Sequence, residues 1–265
     1  VTDKGRGVNS VEVGAGLLEI LAGHDEPLML RDLARLASLS PAQAHAYLIS
    51  LGAIGLVEQE PGSARYRLGP AALDFGITRM RSVDPIRLGQ AAALELSEET
   101  QLAVAIVVWG GFGATVIQVL EGPDQVHINT RAGTVYSLTG TASGRIFAAY
   151  LPQSLVTQAI RREREEKPGS GRVGRLMDLS PAELAGIRQA GFATVFPTPV
   201  PGINALSSPV LDHAGQIQMA ITLIGAAQSL DTSADSPHLR LLQETALRVS
   251  RGLGFAGQSL APMRV

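Results

Sequence analysis

The chain has 265 residues, enough for two domains, and a hydrophobic fraction of 45 % gives each a core. A formal net charge of −2 leaves no overall basic character, so any affinity for nucleic acid depends on where individual charges sit. The absence of cysteine excludes disulfides, thiolate catalysis and cysteine metal sites. No charged-then-apolar leader opens the chain and no apolar run is long enough for a bilayer, so it reads as cytoplasmic with no membrane partner.

Residues 1–8 are glycine-rich and charged and read as an arm. A helix follows over 10–22, with Val11, Leu17, Leu18 and Leu21 as its stripe and Ser10 as its cap; Gly14 and Gly16 lower its propensity. Residues 23–27 form a turn in which His24 is solvated. Leu30, Leu33, Ala34 and Ala37 share one face of a helix over 30–37. Ser38-Leu39-Ser40 interrupts it, and Ser40-Pro41 opens a second helix, with serine as N-cap and proline where no N–H is needed. Ala44, Leu48 and Leu51 pack that helix on the first. Ala42, Gln43, Ala46 and Ser50 point away, flanked by His45 and Tyr47, and such a small, polar outer face suits a recognition helix in a major groove. Residues 55–59, a Pro-Gly turn and residues 65–68 make a hairpin wing. Arg65 and Arg67 lie on one side of it, placed for phosphate contact or for ion pairs with the body.

Residues 70–80 form a connecting helix with Ala72, Phe75 and Gly76 on one side. Asp84-Pro85 starts the next, whose Ile86, Leu88, Ala92, Ala93 and Leu96 face inward; Glu95, Glu98 and Glu99 form a solvated end. The period then changes. Residues 102–109 are a continuous apolar run, as in a strand buried on both faces; 114–120 return, and 125–131 are a third strand. Gly111 and Gly113 sit between strands and lack the third glycine of a phosphate cradle. The stretch 139–145, TGTASGR, opens an apolar helix over 146–151. Its small residues and free amides suit either an anion or close helix packing. Ser143 lacks the spacing of a nucleophile elbow. A helix over 153–165 ends in a mixed-charge run, a self-paired surface, and 168–174 is a glycine-rich loop. Ser180-Pro181-Ala182-Glu183 is a capping box for a helix that stops at Gly191. Residues 192–196 form a short strand and 197–202 a proline-rich loop. Residues 204–211 and 217–225 are a hairpin with His213 at its tip. A closing helix over 235–253 turns Leu239, Leu242, Ala246 and Val249 inward, and a loose tail follows.

Residues 51–69, ending RYRLG, and the AHxxL core of the helix before them resemble the IclR family of bacterial transcription regulators. The likeness extends over nearly the whole chain. It implies an α/β (α+β) architecture: a winged helix-turn-helix over 1–69, a linker helix over 70–83, a GAF-like effector domain over 84–254 and a tail over 255–265. The family's effector motifs correspond to 138–144 and to 201–212 followed by Gly215. Its pocket positions fall on Gly140, Thr141, Ala142, Val195, Ala205, Thr222 and Ile224. Val195, Ala205 and Ile224 are apolar where some relatives are polar. An unpartnered polar group buried there costs about 1–3 kcal/mol, so the expected effector has an aromatic or aliphatic body and an acid group held at 140–142. Trp109 and Phe147 either line this pocket or belong to the core.

The resemblance places DNA contacts at Ser40, Ala42, Gln43, His45, Tyr47, Ser50, Arg65 and Arg67. Gln43 either pairs bidentately with adenine or is simply exposed. The family's lysine and arginine on this helix are replaced here by Pro41 and Ala46. Each lost phosphate contact lowers the salt slope by about 0.9. The expected protein is a metabolite-responsive regulator, a homodimer or dimer of dimers on an inverted repeat of double-stranded DNA, with recognition helices roughly 34 Å apart. It needs neither cofactor nor metal and is no enzyme: His24, His45, His127, His213 and His238 are scattered, with no carboxylate pair or catalytic triad. The alternative is a metabolite sensor acting through protein partners, with weakened or no DNA binding.

Overall fold

The computed structural model describes residues 7–122, 130–166, 171–196, 198–257 and 260. Most of the expected third strand (125–131), His127, most of the N-terminal arm and parts of the 168–174 loop and the tail lie outside them. The chain divides into two compact units, residues 1–83 and 84–265.

The first unit runs α1 (Asn9–Ala22), β1 (Leu28–Met29), α2 (Leu30–Leu36), α3 (Pro41–Ala53), β2 (Val57–Gln59), β3 (Arg65–Leu68) and α4 (Pro70–Ser82). Its core is Leu17, Leu21, Leu33, Leu48 and Val57. A fully buried leucine contributes about 1.5–3 kcal/mol, so this small cluster holds three helices together. Ser38 ends the first helix of the pair in a left-handed conformation, φ 55°. Two expectations for α1 fail: Val8, which offers no side-chain cap, precedes the helix instead of Ser10, and Val11 is exposed while Gly14, Leu17 and Leu21 are buried. β1 is also new. Leu28 pairs with Tyr66 and Met29 with Arg65, giving the antiparallel order β1-β3-β2. No residue of α4 is buried within this unit.

The second unit runs α5 (Pro85–Thr100), β4 (Ala103–Gly110), β5 (Gly113–Leu120), β6 (Val135–Tyr136), α6 (Ala142–Tyr150), α7 (Gln153–Glu165), α8 (Pro181–Ala190), β7 (Ile203–Leu211), β8 (Ile217–Ala226) and α9 (Pro237–Gly252). The five strands form one antiparallel sheet in the order β6-β5-β4-β8-β7. Alternation along β4 explains its unbroken apolar run. Val104 and Ile106 join the core beneath α5 and α9, whereas Ala103, Ala105 and Val107 join the core beneath α6. The small residues on the second face let α6 approach the sheet closely. The strand expected over 192–196 reduces to a single bridge, Ala193 to Ser207, because the chain leaves the sheet edge after one pair.

Candidate reading helix and ligand cavities

α3 contains no lysine or arginine. Ala42, Gln43, His45, Ala46 and Ser50 lie on its exposed side. Tyr47, expected beside them, is half-buried and packs against the core of the unit. Ser40 and Gln43 form a reciprocal capping box. The Ser40 N–H and hydroxyl donate to Gln43 Oε1 at 3.1 and 2.9 Å, and the Gln43 N–H donates to Ser40 Oγ at 3.3 Å. A bidentate pair with adenine needs both ends of the amide. In this conformation only the Gln43 NH₂ group is open, so a bidentate pair would require the exposed Ser40 bonds to open. Ser50 donates to the Ala46 carbonyl at 3.1 Å. On the wing, Arg67 pairs with Glu58 of the neighbouring strand at 2.7 Å, and Arg65 donates to the Pro27 carbonyl at 3.1 Å. These bonds are solvent-exposed and worth roughly 0.2–1 kcal/mol, so a phosphate can replace them.

In the second unit a cavity of about 100 Å³ lies at the start of α6. Of the expected pocket positions, Thr141, Ala142, Val195, Ala205, Thr222 and Ile224 line it and Gly140 does not. The Gly140 N–H donates to Ser137 Oγ at 3.2 Å, and a Cβ at this position would meet the Arg175 carbonyl oxygen at 1.8 Å. The glycine is therefore required by close backbone packing. Gly144 is in the same position, its Cβ falling 2.0 Å from the Ser137 carbonyl oxygen.

Thr141 caps α6, its Oγ1 accepting the Gly144 N–H at 3.0 Å. The Arg145 N–H reaches the Thr141 carbonyl. The amides of Ala142 and Ser143 are the first-turn donors with no intrahelical acceptor. Below them runs a chain of buried hydroxyls: Ser143 Oγ is 2.8 Å from Thr222 Oγ1, which is 2.9 Å from Ser207 Oγ. Tyr136, also in the wall, donates to Thr130 Oγ1; burial pushes its phenol up and the Thr130 bond opposes this, so it is protonated at neutral pH. No charged side chain lines the cavity. Arg145 stands behind it, donating to the carbonyls of Thr139 at 2.8 Å and Thr194 at 3.3 Å. Its guanidinium is lowered from its ordinary value by burial, with Glu183 acting in the other direction.

Sequence reasoning missed Ser143, Tyr136, Val173 and the 198–200 wall. For Ser143 the signal was available: a serine in the first turn of a buried helix has to find a hydrogen bond.

A second cavity, of about 420 Å³, opens between the β4–β5 hairpin and α7. Trp109 lines this cavity and not the smaller one; Phe147 is core, with its ring centroid 5.8 Å from that of Trp109. Neither therefore serves the expected acid pocket. Among the described residues no group of three or more His, Cys, Asp or Glu is placed to hold a metal ion, and no helix is long and apolar enough to cross a membrane.

Comparison with known proteins gives a consistent result. Residues 80–251 match the family profile described as bacterial transcriptional regulator IclR C-terminal, and residues 10–61 match the IclR helix-turn-helix domain. The chain is 29 % identical over 255 residues to the glycerol operon regulatory protein of Streptomyces griseus, covering 94 % of this chain and 98 % of that one. It is 23 % identical over 248 residues to the transcriptional regulator XynR of Escherichia coli K12, covering 94 % and 98 %. Among solved structures, HmgR of Pseudomonas aeruginosa superposes with a TM-score of 0.82 at 30 % identity, covering 95 % of this chain and 100 % of that one. The repressor BlcR of Agobacterium tumefaciens, at 19 % identity and a TM-score of 0.75 over 94 % and 99 % of the two chains, shares the fold.

Proposed function

The chain belongs to the IclR family of bacterial transcriptional regulators, with a DNA-binding helix-turn-helix, and from that premise we propose that a small carboxylic acid in the cavity at the start of α6 sets its operator binding. The observation that carries this reading is that the first-turn residues Ala142 and Ser143, with Thr222 bonded to Ser143 at 2.8 Å, line the same cavity as the aliphatic Val173, Val195, Ile203, Ala205 and Ile224. Amides at a helix start hold a carboxylate without a cationic side chain. The aliphatic walls take the body. An apolar cavity of about 150 Å³ can hold benzene, and the smaller volume of about 100 Å³ here favours a short aliphatic acid over an aromatic one.

The acid acts by binding one arrangement of the regulator better than another and shifting the population toward it. On DNA, α3 enters the major groove with Ala42, Gln43, His45 and Ser50 facing the bases, and Arg65 and Arg67 exchange their present partners for phosphates. The regulator works as a symmetric dimer, or a pair of dimers, on an inverted repeat in the cytoplasm. Exposed apolar side chains on α1 (Val11) and α4 (Leu73, Phe75, Met80) supply surface for self-association.

The test is a fluorescence-anisotropy titration of the DNA upstream of its own gene at two salt concentrations, with and without straight-chain acids of two to five carbons. Sequence-selective, salt-sensitive binding that one acid shifts is the expected result. Binding indifferent to every acid, with no rise in melting temperature, overturns the effector assignment. Selective acid binding without any DNA binding favours the second reading, action through protein partners, for which the lack of lysine and arginine on α3 argues.

A further inference from the structure

We propose that the larger cavity is a second ligand site, separate from the acid cavity, and that it takes an aromatic α-amino acid. Its volume of about 420 Å³ lies within the range of small-molecule sites. The two cavities share only Tyr136 among their lining residues. The floor of the larger one is apolar and aromatic, formed by Trp109, Tyr136, Leu138 and Ala159. Its ring stacks edge-on or offset against a bound aromatic group.

The charged residues of the wall define the rest of the ligand. Arg162, Arg172, Glu163 and Glu166 all line it, so the wall carries both signs in equal number. One pair is internal. Arg172 bonds Glu166 through Nε and Nη2, the Tyr136 carbonyl through Nη1 at 3.1 Å and the Phe112 carbonyl through Nη2 at 3.3 Å. All its nitrogens are engaged in joining the hairpin, β6 and the end of α7. Neither of the other two, Arg162 and Glu163, forms an ion pair within 4 Å among the described residues, although Glu163 feels the charge of Arg172 and helps to raise that guanidinium above its ordinary value. Glu163 accepts the Leu138 N–H with Oε2 at 3.0 Å, leaving Oε1 without a hydrogen bond among the described residues.

A cavity with one unpaired cation, one carboxylate oxygen free to accept and an aromatic floor complements a molecule with a carboxylate, an ammonium and a ring. The carboxylate goes to Arg162 and the ammonium to Glu163, each as a charge-assisted hydrogen bond. A simple aromatic acid would leave Glu163 unmatched and set its own carboxylate beside it. A simple aromatic amine would do the same at Arg162.

Trp109 is the chain's single tryptophan, so its emission reports on this cavity alone. The full-length protein is titrated with L-phenylalanine, 3-phenylpropanoate and phenethylamine. Saturable change in Trp109 emission with L-phenylalanine is expected, with a Kd about tenfold or more below that of either analogue. R162Q should weaken phenylalanine about tenfold while leaving phenethylamine unchanged, and E163Q, which keeps the acceptor for Leu138, should abolish the preference over 3-phenylpropanoate. T222V, in the other cavity, should change none of these. W109F removes the signal but should keep a melting-temperature rise with phenylalanine. Equal binding of the three compounds, or no emission change up to about 10 mM, overturns the proposal and leaves the acid cavity unaffected.

Discussion

The reading surface and the acid cavity both present serine hydroxyls already bonded within the protein, yet the two sets are held in opposite ways. Ser40 and Ser50 bond partners three and four residues away, in solvent. Ser143 and Ser207 bond Thr222 across 79 and 15 residues, with all three groups buried. An exposed local bond is exchanged for water or for a nucleic acid at little cost. A buried one cannot lose a partner without leaving the other unsatisfied, at about 1–3 kcal/mol. On the proposed assignment, the DNA side is thus built to be rearranged by its partner, and the ligand side is built in advance.

The largest expected effect tests whether the start of α6 is packing or cradle. Gly140→Ala drives a methyl into the Arg175 backbone, and the destabilisation should be about 3 kcal/mol or more. Calorimetry should show the unfolding transition falling by roughly 2–4 °C per kcal/mol. A variant with unchanged melting that no longer binds acid would make Gly140 a ligand contact after all. Next comes Thr222→Val, which strands the buried Ser143 hydroxyl and leaves Ser207 only a 3.5 Å bond to the Ile221 carbonyl, and should cost about 1–3 kcal/mol. Ser143→Ala should cost less than T222V, since Thr222 keeps Ser207, while still weakening any acid that bonds the hydroxyl. If the order is reversed, the chain is anchored at its cavity end and not at Thr222.

The same contrast explains what the sequence could reveal. Helices announced by local chemistry were legible: Ser180 to Glu183, Asp84-Pro85 and Ser40-Pro41 are start signals read over four residues or fewer. At Ser40 the sequence showed the N-cap but not the capping box that Gln43 completes; Gln43 was assigned to DNA, because an amide three residues past a serine suits either role. β1 and β6, two residues each, carry no period; only the distant strand they pair with makes them strands. The acid cavity divides likewise. Its family positions were found by motif. Tyr136, Val173 and the 198–200 wall reach it through loops whose sequence does not record their destination. Trp109, one candidate for that cavity, belongs to the other because β4 turns it toward α7.

A smaller effect sharpens the view of the reading helix. Ser40→Ala removes the cap of α3 and should cost about 1 kcal/mol, read by thermal unfolding. It also removes one of the two donors to Gln43 Oε1, leaving the backbone N–H of residue 40. If Gln43 reads a base with both ends of its amide, DNA affinity measured at a temperature where the variant is fully folded should hold or rise in spite of the lost stability. A fall in affinity for all sequences alike would show that the capped conformation is the one DNA meets.

The smallest expected change in stability carries the clearest statement about DNA. Arg67 and Glu58 are half-exposed, at 51 % and 40 % of their side-chain surface, so Arg67→Ala should alter unfolding by no more than about 0.5 kcal/mol. Its effect on operator binding should be unmistakable all the same. A lost phosphate contact lowers the slope of log K against log salt by about 0.9. Glu58→Gln separates the wing's internal pair from its external role: it frees the guanidinium without removing it, so affinity at low salt should rise while selectivity between sequences stays the same. Should R67A leave the slope untouched, Arg67 keeps Glu58 in the complex. The proposed phosphate contact of the wing would then rest on Arg65, since α3 carries no lysine or arginine of its own.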